Sequence, residues 1–346
     1  MPQTINKILI IGPSWIGDMV MAQSLFKALK DNKPNVIIDV LALAWTKPLL
    51  ERMPEVNKAI TMPISHGTFG WNMRKKIGHK LRHEQYDQAI VLPNSWKSAL
   101  IPWFAKIPLR TAWRGEMRYG LINDIRVLDK SALPMMVHRY VSLAHPATQA
   151  SIVHDYPKPL MIANTPSKKF QLTLNPKQKR LILCPGAEFG PAKQWPATHY
   201  AELADTLINQ GWQTLILGSE ADKIIADEII ENSNSKSRSA IFNLCGKTEL
   251  SEAIDLLDTA DLVVSNDSGL MHIAAALQKP LIAIYGPTSP EFTPPLADSA
   301  HIAQIKVDCG PCFQRECPEH HHHCMLKMNS KYILNLIQTP KLNQND

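Results

Sequence analysis

Residues 7–18, Lys-Ile-Leu-Ile-Ile-Gly-Pro-Ser-Trp-Ile-Gly-Asp, contain the clearest local indication of the fold. The first five residues form a short β-branched apolar run, which is typical of a buried strand. A glycine-containing loop follows, and apolar residues then recur at the spacing of one helix face, at Ala22, Leu25, Phe26 and Leu29. The order strand, loop, helix predicts the first βα unit of a doubly wound α/β domain.

The same pattern recurs along the rest of the chain. Further strand candidates at 36–43 and 88–92 are separated by enough chain for crossover helices, which favours a parallel sheet covered on both faces. A polar, proline-dotted segment at 157–179 indicates a domain edge. Beyond it, strand candidates at 180–184, 214–217, 262–265 and 281–285 alternate with helix candidates at 200–207, 253–257 and 270–277.

We therefore predict an α/β protein of two Rossmann-like domains, residues 1–165 and 166–346, with the last helix free to pack back on the first domain. Ligands of such sheets bind at the carboxyl ends of the strands. The active site is accordingly expected in a cleft where the strand ends of the two domains face each other.

Composition narrows the class of protein. The 346 residues are 45% hydrophobic and 20% charged, which excludes a disordered or low-complexity chain. The most apolar segment, 270–286, is broken by His272, Gln278 and Lys279, so no transmembrane helix is expected. The N-terminal residues lack a signal-peptide cleavage pattern, and we expect a cytoplasmic protein with reduced thiols.

The net charge of +6 favours an anionic partner, which charge alone leaves open between nucleic acid, a phosphorylated small molecule and a membrane surface. The densest basic cluster lies at residues 74–83 and contains Arg74, Lys75, Lys76, His79, Lys80, Arg82 and His83. It is either a solvated helix face or a basic docking surface.

The loop at 12–18 stands where a dinucleotide-binding fingerprint would, but it matches neither G-x-G-x-x-G nor the P-loop G-x-x-x-x-G-K-[ST]. A dinucleotide enzyme and a P-loop hydrolase are therefore disfavoured. Asp18 falls at the predicted start of a helix. It is either an N-cap or first-turn acid that complements the helix dipole, or a general base presented to the cleft.

Polar residues also follow the strands of the second half. Asp267 or Ser268 can cap the helix after strand 262–265, whose free N–H groups form an anion site suited to a phosphate. His272, one turn into that helix, is either a ligand-facing residue or a core histidine. Lys193 is either an exposed loop residue or a phosphate-binding point charge. Glu220 supplies a carboxylate that can accept hydrogen bonds from the ribose hydroxyls or the base of a nucleotide.

Four of the six cysteines, Cys309, Cys312, Cys317 and Cys324, have C-x2-C-x4-C-x6-C spacing around the histidine run His320 to His323. This spacing allows a tetrahedral zinc site, and it equally allows packed thiols in a reduced loop. A catalytic thiolate is not expected, because nothing in the pattern calls for a thiol nucleophile.

Taken together, five motifs resemble the lipopolysaccharide heptosyltransferase II family over essentially the whole chain. They are I-G-P-S-W-I-G-D-M-V-M (11–21), L-P-N-S-W-K-S-A-L (92–100), W-R-G-E-M-R-Y-G (113–120), G-P-A-K-Q-W-P (190–196) and S-N-D-S-G-L-M-H-I-A-A-A (265–276). The resemblance implies the two-domain GT-B fold, with ADP-L-glycero-β-D-manno-heptose as donor. It also implies transfer of heptose to the first heptose of the lipopolysaccharide inner core, with inversion at the anomeric carbon. The cysteine segment is similar too, although its run of four histidines departs from the family pattern.

By this resemblance Asp18 matches the catalytic base and Lys193 the donor-phosphate lysine, while Asp267, Ser268, Gly269 and His272 match the segment around the donor pyrophosphate. The full expected donor-binding set is Gly186, Glu188, Lys193, Ser219, Glu220, Thr248, Asp267, Ser268, Gly269 and His272. Asn94, Ser95, Lys97, Arg114 and Arg118 are acceptor-binding candidates, because arginines suit phosphorylated sugars and neighbouring aromatic rings suit stacking. Ordinary structural Trp and Arg residues are the alternative there.

We expect no metal in the active site and no required cofactor, since a lysine and a helix N-terminus can stabilise the leaving ADP; stimulation by a divalent cation stays open. The partners implied are ADP-heptose, a heptosyl-Kdo2-lipid A acceptor and peripheral contact with the cytoplasmic face of the inner membrane, with no nucleic acid.

Three alternatives remain. They are a heptosyltransferase for another core position, a GT-B-like sugar-nucleotide epimerase that needs no acceptor, and a nucleotide- or RNA-binding module that uses the basic cluster. No RNA-recognition motif supports the last of these. The sequence leaves open the acceptor decoration, the oligomeric state, the extent of domain closure and whether the cysteine segment holds a metal.

Overall fold

The computed structural model describes residues 5–64, 68–149, 155–171 and 174–337. The chain divides into two compact units, Met1–Ile162 (unit 1) and Ala163–Asp346 (unit 2). This boundary lies inside the proline-dotted segment at 157–179 that the sequence marks as a domain edge. Across the described ranges, no helix combines the length and apolar character that a membrane span requires.

The described residues of unit 1 form six strands and five α-helices. The strands are β1 (Lys7–Ile11), β2 (Ile37–Leu43), β3 (Lys58–Met62), β4 (Gln88–Val91), β5 (Leu109–Trp113) and β6 (Asp124–Arg126). The helices are α1 (Ile16–Asn32), α2 (Lys47–Leu50), α3 (Trp71–Leu81), α4 (Leu100–Phe104) and α5 (Met136–Val141). All strand pairs are parallel, in the order β3-β2-β1-β4-β5-β6.

Unit 2 repeats this plan with the second half of the chain. Its strands are β7 (Arg180–Cys184), β8 (Gln213–Ile216), β9 (Ile241–Asn243), β10 (Leu262–Asn266), β11 (Leu281–Tyr285) and β12 (Ala300–Gln304). Its helices are α6 (Lys168–Gln171), α7 (Ala197–Ile208), α8 (Lys223–Asn232), α9 (Leu250–Leu257), α10 (Gly269–Ala276), α11 (His323–Leu326) and α12 (Ser330–Ile337). The parallel order β12-β11-β10-β7-β8-β9 is the unit 1 order traced from the other edge.

Short turns of 3-10 helix connect several of these elements. They lie at Ala44–Thr46, Arg82–Glu84, Trp96–Ala99 and Ser142–Ala144 in unit 1, and at Pro191–Lys193, Glu220–Asp222 and Arg238–Ala240 in unit 2. Those at Trp96–Ala99, Pro191–Lys193 and Glu220–Asp222 follow strand ends and carry predicted site residues.

The central strands are apolar because both of their faces are buried. Four consecutive residues of β1 and all five of β10 and of β11 are buried, as expected for a parallel sheet covered on both sides. The helix-face residues Ala22, Leu25, Phe26 and Leu29 are all buried as well. The prediction of two doubly wound α/β domains is confirmed.

In each unit the strand order reverses direction between the first strand and the fourth. β1 pairs with both β2 and β4, and β7 pairs with both β8 and β10. Ile11 lies opposite Val91, and Cys184 lies opposite Ser265, so the carboxyl ends of the two strands at each reversal are level. Ligands of open α/β sheets bind at such a point, which selects the loops after β1, β4, β7 and β10.

The last described helix, α12, is covered within its own unit. It packs on α7 and β12, and Ile333 is fully buried in the unit 2 core. Its apolar face thus contributes to the core of unit 2, and packing of the last helix on the first domain stays a prediction.

Candidate functional site

A cavity of about 410 Å³ lies at the strand reversal of unit 1. It is lined by the loop after β1, with Pro13, Ser14, Trp15 and Asp18, and by the loop after β4, with Pro93, Asn94, Ser95 and Lys97. Its size is in the range of small-molecule sites. The structure therefore brings the predicted catalytic acid and three of the five acceptor candidates to one cavity.

Asp18 occupies the first turn of α1 but does not cap it. The N-cap residue is Trp15, which makes no side-chain capping bond. Burial raises the pKa of Asp18 to about 6, and a hydrogen bond from the Tyr140 hydroxyl opposes that rise. A carboxyl with a pKa near 6 is ionised at neutral pH and holds a proton far better than an ordinary aspartate, which is the property of a general base.

Tyr140 is a site residue that the sequence reasoning missed. It lies on α5, is buried and lines the cavity with its neighbour Arg139. Burial and the nearby Asp18 charge hold the pKa of Tyr140 well above its ordinary value, so its hydroxyl keeps its proton and donates to Asp18. No local motif marks this residue, because its role depends on the packing of α5 against α1.

Two of the sequence motifs combine to hold the Asn94 loop in place. The backbone N–H of Glu116 donates to the Asn94 carbonyl (3.1 Å), and the Glu116 carboxylate accepts from the Trp96 backbone N–H (2.6 Å). A Cβ on Gly115 would lie 2.3 Å from the Asn94 carbonyl oxygen, so only glycine permits this approach. The W-R-G-E segment is thus a support for the loop after β4.

The structure gives the two arginine candidates different positions. Arg118 is buried and donates to the carbonyls of Pro93 (2.7 Å) and Trp113 (2.6 Å), which makes it part of the same support. Arg114 is exposed and does not line the cavity. The cationic side chains that do line it are Lys97, Arg74 and Arg139, and the last two escaped the sequence reasoning as site residues.

In unit 2, the loops after β7 and β10 meet through an ion pair. Lys193 Nζ lies 2.6 Å from Asp267 Oδ2, and their side chains are 12% and 7% exposed. The Thr288 hydroxyl donates to the same Asp267 oxygen (2.7 Å). Lys193 is therefore not an isolated loop lysine: it is a cation held at the strand reversal by a largely buried carboxylate.

Helix α10 begins beside this pair. Of the two capping candidates, Ser268 is the N-cap and its side chain accepts from the Met271 N–H at 3.5 Å, whereas Asp267 pairs with Lys193. Burial lowers the pKa of His272 to about 4, with a smaller opposing influence of Asp267 and a further lowering by Lys193. His272 is thus a neutral imidazole next to a lysine and a helix N-terminus, which together suit an anion.

Asn266 fixes the geometry of these loops and was not singled out from the sequence. Its side-chain oxygen accepts from the Trp195 backbone N–H (3.2 Å) and from the Tyr200 hydroxyl (3.0 Å), and its amide donates to the Pro185 carbonyl (2.6 Å). All three groups come from the chain after β7. One buried amide therefore ties the Lys193 loop to the end of β10.

The remaining donor candidates lie at neighbouring strand ends. Ser219 and Asp222 form a capping box at the turn after β8, and Gly186 lies against the Asp222 carboxylate. Glu220 is exposed and lies against Gly246, and Glu188 is also exposed. Thr248 is half-buried in the loop between β9 and α9. Their placement at carboxyl ends of strands is compatible with ligand contact, which stays a prediction.

The loop that contains Cys309 to Cys324 packs against the turn Pro191–Lys193. Its four cysteines are free thiols around a void of about 20 Å³, which Ala192 and Pro287 also line. Ala192 N–H donates to the Arg315 carbonyl (3.0 Å), and Phe313 N–H donates to the Pro287 carbonyl (2.8 Å). Across the ranges the structure describes, no three Cys, His, Asp or Glu side chains are arranged to hold a metal ion.

Comparison with known proteins identifies the family of this chain. The sequence model of glycosyltransferase family 9 (heptosyltransferase) matches residues 74–323. The lipopolysaccharide heptosyltransferase 2 of Escherichia coli K12 is 48% identical over 335 residues, which cover 95% of this chain and 96% of that protein. The lipooligosaccharide heptosyltransferase 2 of Haemophilus ducreyi is 51% identical over 341 residues, or 95% and 97% of the two chains.

A solved structure extends the similarity to the fold. The E. coli ADP-heptose lipopolysaccharide heptosyltransferase II matches this chain with a TM-score of 0.86 and 44% identity, covering 98% of this chain and 99% of that one. The family model spans the loops after β4, β7 and β10, and the similarity extends over nearly the whole length of both units. The chain therefore belongs to glycosyltransferase family 9, the heptosyltransferases.

Proposed function

We propose that this glycosyltransferase moves an L-glycero-D-manno-heptose residue from ADP-heptose to the first heptose of the lipopolysaccharide inner core, with inversion at the anomeric carbon. The observation that carries the proposal is Asp18. It is the only acid among the described residues that line the unit 1 cavity, and burial raises its pKa to about 6. An inverting transfer needs one base of this kind.

In this mechanism Asp18 removes the proton from the acceptor hydroxyl. The hydroxyl oxygen forms a new bond to the anomeric carbon of the donor heptose, and the bond from that carbon to the ADP phosphate oxygen breaks. The proton ends on the Asp18 carboxylate, and ADP leaves with one more negative charge. Tyr140 holds the carboxylate in place through its hydrogen bond.

We assign to unit 2 the stabilisation of the negative charge that develops on the departing ADP. Lys193 supplies a positive charge, and the N-terminus of α10 supplies backbone N–H groups at the end of β10. Because His272 is neutral at pH 7, it can donate or accept a hydrogen bond at the diphosphate or the sugar without adding charge. This set stabilises a diphosphate without requiring a metal ion, so we expect no loss of transfer in a chelator.

The acceptor is assigned to the unit 1 cavity. Trp15, Trp113 and Tyr140 offer aromatic surface for sugar rings, and Lys97 and Arg139 offer positive charge for acidic or phosphorylated inner-core groups. Such an acceptor is anchored in a membrane by its lipid, so the enzyme is proposed to act at the cytoplasmic face of the inner membrane.

The position of the added heptose is proposed from the relatives. Proteins named heptosyltransferase 2 share about half of their residues with this chain, with 48% identity in E. coli and 51% in H. ducreyi. This degree of similarity favours the second heptose over other core positions.

The test offers the purified protein ADP-heptose and an acceptor that carries Kdo and a single heptose on lipid A. We expect a product heavier by one heptose, with an α linkage by nuclear magnetic resonance and with one ADP released per transfer. A Kdo-only acceptor and an acceptor that already carries two heptoses are the matched controls, and both should remain unchanged. Transfer to either control in preference to the mono-heptosylated acceptor would overturn the proposed position.

A second arm incubates the protein with ADP-heptose alone. Conversion of the donor without an acceptor would indicate an epimerase and contradict the proposal. Equal rates of transfer with and without a chelator are expected, and loss of transfer in the chelator would contradict a metal-free site.

A further inference from the structure

Unit 1 presents an unusual surface on helices α3 and α4 and the residues that flank them. Three large aromatic side chains are exposed there, with 48% exposure at Phe69, 41% at Trp71 and 43% at Trp103. Single exposed apolar residues are ordinary, but a contiguous group of them marks an interaction surface. We call the rings of Phe69, Trp71, Trp96, Trp103 and Phe104, together with the cations of α3, the aromatic-basic face.

The rings form one continuous layer. Phe69, Trp71 and Trp96 lie nearly parallel to one another, with centroids 6.1 to 6.3 Å apart and planes within 17°. The Phe104 ring packs edge-on against Trp71 (5.2 Å) and lies 5.0 Å from Trp103. The aromatic surface is therefore shared between α3 and α4.

The backbone of this face is held rigidly. A Cβ on Gly78 of α3 would lie 2.4 Å from the Phe104 Cβ, so the two helices are in direct contact at a position that only glycine permits. Arg74, the buried cation of α3, donates to the carbonyls of Phe69 (2.6 Å) and Lys97 (3.2 Å). The aromatic rings are thereby presented by a fixed scaffold.

The charge of the same region is strongly one-sided. Residues 68–108 contain seven Lys and Arg but only two acids, so 7 − 2 = +5 of the chain's net +6 is found here. Both acids already have partners: Glu84 pairs with Lys7 and Lys58, and Asp87 accepts from the backbone N–H groups of Asn6 and Lys7.

The cations of α3 remain available to an external partner. Lys75, Lys76 and Lys80 are exposed, and within the described ranges none of them forms an ion pair. Slight desolvation and the charges of Arg82, Lys75 and Lys106 lower the pKa of His79, which places these cations close together. Helix α3 itself contains no acid.

We propose that the aromatic-basic face docks unit 1 on a bilayer of anionic phospholipid, an inference that rests on the proposed function because its acceptor is a membrane lipid. Tryptophan rings favour the interface between headgroups and acyl chains, and lysines near an anionic surface are attracted to its charge. Aromatic and basic side chains on one surface meet both requirements.

The arrangement favours a bilayer over a single-stranded nucleic acid. Nucleic-acid platforms leave ring faces open so that bases stack on them. Here the Phe69, Trp71 and Trp96 rings pack against one another, with centroids 6.1 to 6.3 Å apart, and Trp71 also packs against Phe104 at 5.2 Å. What the face offers to a partner is a broad apolar layer bordered by lysines.

The test measures partitioning of the full-length protein onto vesicles by sedimentation. Vesicles of phosphatidylcholine alone are compared with vesicles that also contain phosphatidylglycerol. We expect binding only in the presence of phosphatidylglycerol, with a partition coefficient that falls as salt is added. The triple variant Lys75→Glu, Lys76→Glu, Lys80→Glu should bind at least about 100-fold more weakly, since three favourable charges are lost and three that an anionic surface repels are gained.

A matched control carries the same charge change in unit 2, as Lys177→Glu, Lys223→Glu, Lys236→Glu, where all three lysines are exposed. It should partition close to wild type. Trp103→Ala removes an exposed ring and should weaken partitioning several-fold at constant salt. The proposal is overturned if the two triple variants partition equally, if wild type needs lipopolysaccharide in the vesicle, or if single-stranded RNA of equal phosphate concentration displaces the protein.

Activity separates this proposal from the proposed function. With a water-soluble, deacylated acceptor the α3 triple variant should transfer heptose at the wild-type rate, whereas with acceptor embedded in anionic vesicles its rate should fall. If wild type transfers heptose to neither acceptor, the proposed function fails while the partitioning result still stands by itself. If the α3 variant matches wild type on vesicle-embedded acceptor, the docking proposal fails and the transferase function remains.

Discussion

The two units share one strand order and differ in what they place at the strand reversal. Unit 1 holds a carboxylate with no cationic partner among its described contacts, Asp18, in an open cavity of about 410 Å³. Unit 2 holds a carboxylate locked to a lysine, Asp267 to Lys193, at 2.6 Å. The same topology thus presents a carboxylate that can take up a proton in one unit and a carboxylate that fixes a cation in the other.

The difference follows from the surroundings of each acid. Burial next to a neutral tyrosine raises the pKa of Asp18 to about 6, since no adjacent positive charge offsets the desolvation. Asp267 accepts from both Lys193 and Thr288, so its charge is compensated in place. An aspartate at a strand end therefore either takes up a proton near pH 6 or serves as the counter-ion of a lysine, according to its nearest partners.

The largest expected effect comes from removing the uncompensated carboxylate. Asp18→Asn should lower the transfer rate by roughly 100- to 10,000-fold, because a general base contributes about that much. Affinity for ADP should be unchanged, since the residues proposed to bind the donor are in unit 2. Steady-state kinetics and calorimetry with ADP measure the two quantities. In the wild type, kcat/KM should fall about tenfold per pH unit below pH 6, where Asp18 becomes protonated.

Stability provides the control for Asp18→Asn. Folding disfavours the ionised form of Asp18, so ionised Asp18 lowers the free energy of unfolding. This destabilisation is fully present above pH 6 and vanishes below the pKa near 4 that Asp18 has in the unfolded chain. The variant should therefore gain roughly 1 to 3 kcal/mol of unfolding free energy at pH 8 and nothing at pH 3.5. Asp31→Asn, an exposed acid of the same helix, should change neither rate nor stability. An Asp18→Asn enzyme with near-normal transfer would refute the assignment.

A second experiment addresses the ion pair of Lys193 and Asp267. Lys193→Ala should weaken ADP binding about 10- to 100-fold, through loss of a charge-assisted contact. It should also destabilise unit 2 by up to about 3 kcal/mol, because it leaves Asp267 buried with Thr288 alone. Calorimetry and thermal unfolding report the two effects separately.

The double variant Lys193→Ala, Asp267→Asn distinguishes a role of Lys193 in binding ADP from a role in neutralising Asp267. Removing the charge of Asp267, which has lost its lysine, should restore most of the stability but not the ADP affinity. If ADP affinity returned together with stability, Lys193 would act only as the counter-ion of Asp267, and its phosphate-binding role would be wrong.

The smallest expected effect concerns the partner of Asp18. Tyr140→Phe removes the hydrogen bond that lowers the pKa of Asp18, so the acid limb of kcat/KM should move to higher pH. The rate at pH 6 should fall a few-fold while the rate at pH 8.5 stays near wild type. Tyr119→Phe, at an exposed tyrosine of the same unit, serves as the control. An unshifted limb would show that Tyr140 does not act on Asp18.

Much of the fold could be predicted from the sequence because its central strands have a strong local signal. The strands at 7–11, 180–184 and 281–285 were predicted with the bounds that the structure has. β3, β5, β6, β9 and β12 received no prediction. These strands are more polar or only three residues long, and pairing with a neighbouring strand is what makes them strands.

The candidate site was predicted where motifs follow strands and missed where it depends on packing. Asp18, Lys97, Lys193 and Asp267 all follow central strands, and the structure places them at the two reversals. Arg118 lies in a motif that also predicted ligand binding, but its side chain is buried and holds the neighbouring loop in place. Tyr140 and Asn266 carried no signal, because their roles come from contacts with other segments.

The two βα repeats and the polar residues at their strand ends could be predicted from the sequence alone, because periodicity and strand–loop order are local properties. Which of those residues contact one another depends on how distant segments pack. Lys193 and Asp267 are 74 positions apart, and Asp18 meets Tyr140 across two helices, so pairing and burial set their charges. A side chain's pKa and partner depend on the whole set of groups that folding brings around it, and no window of sequence contains that set.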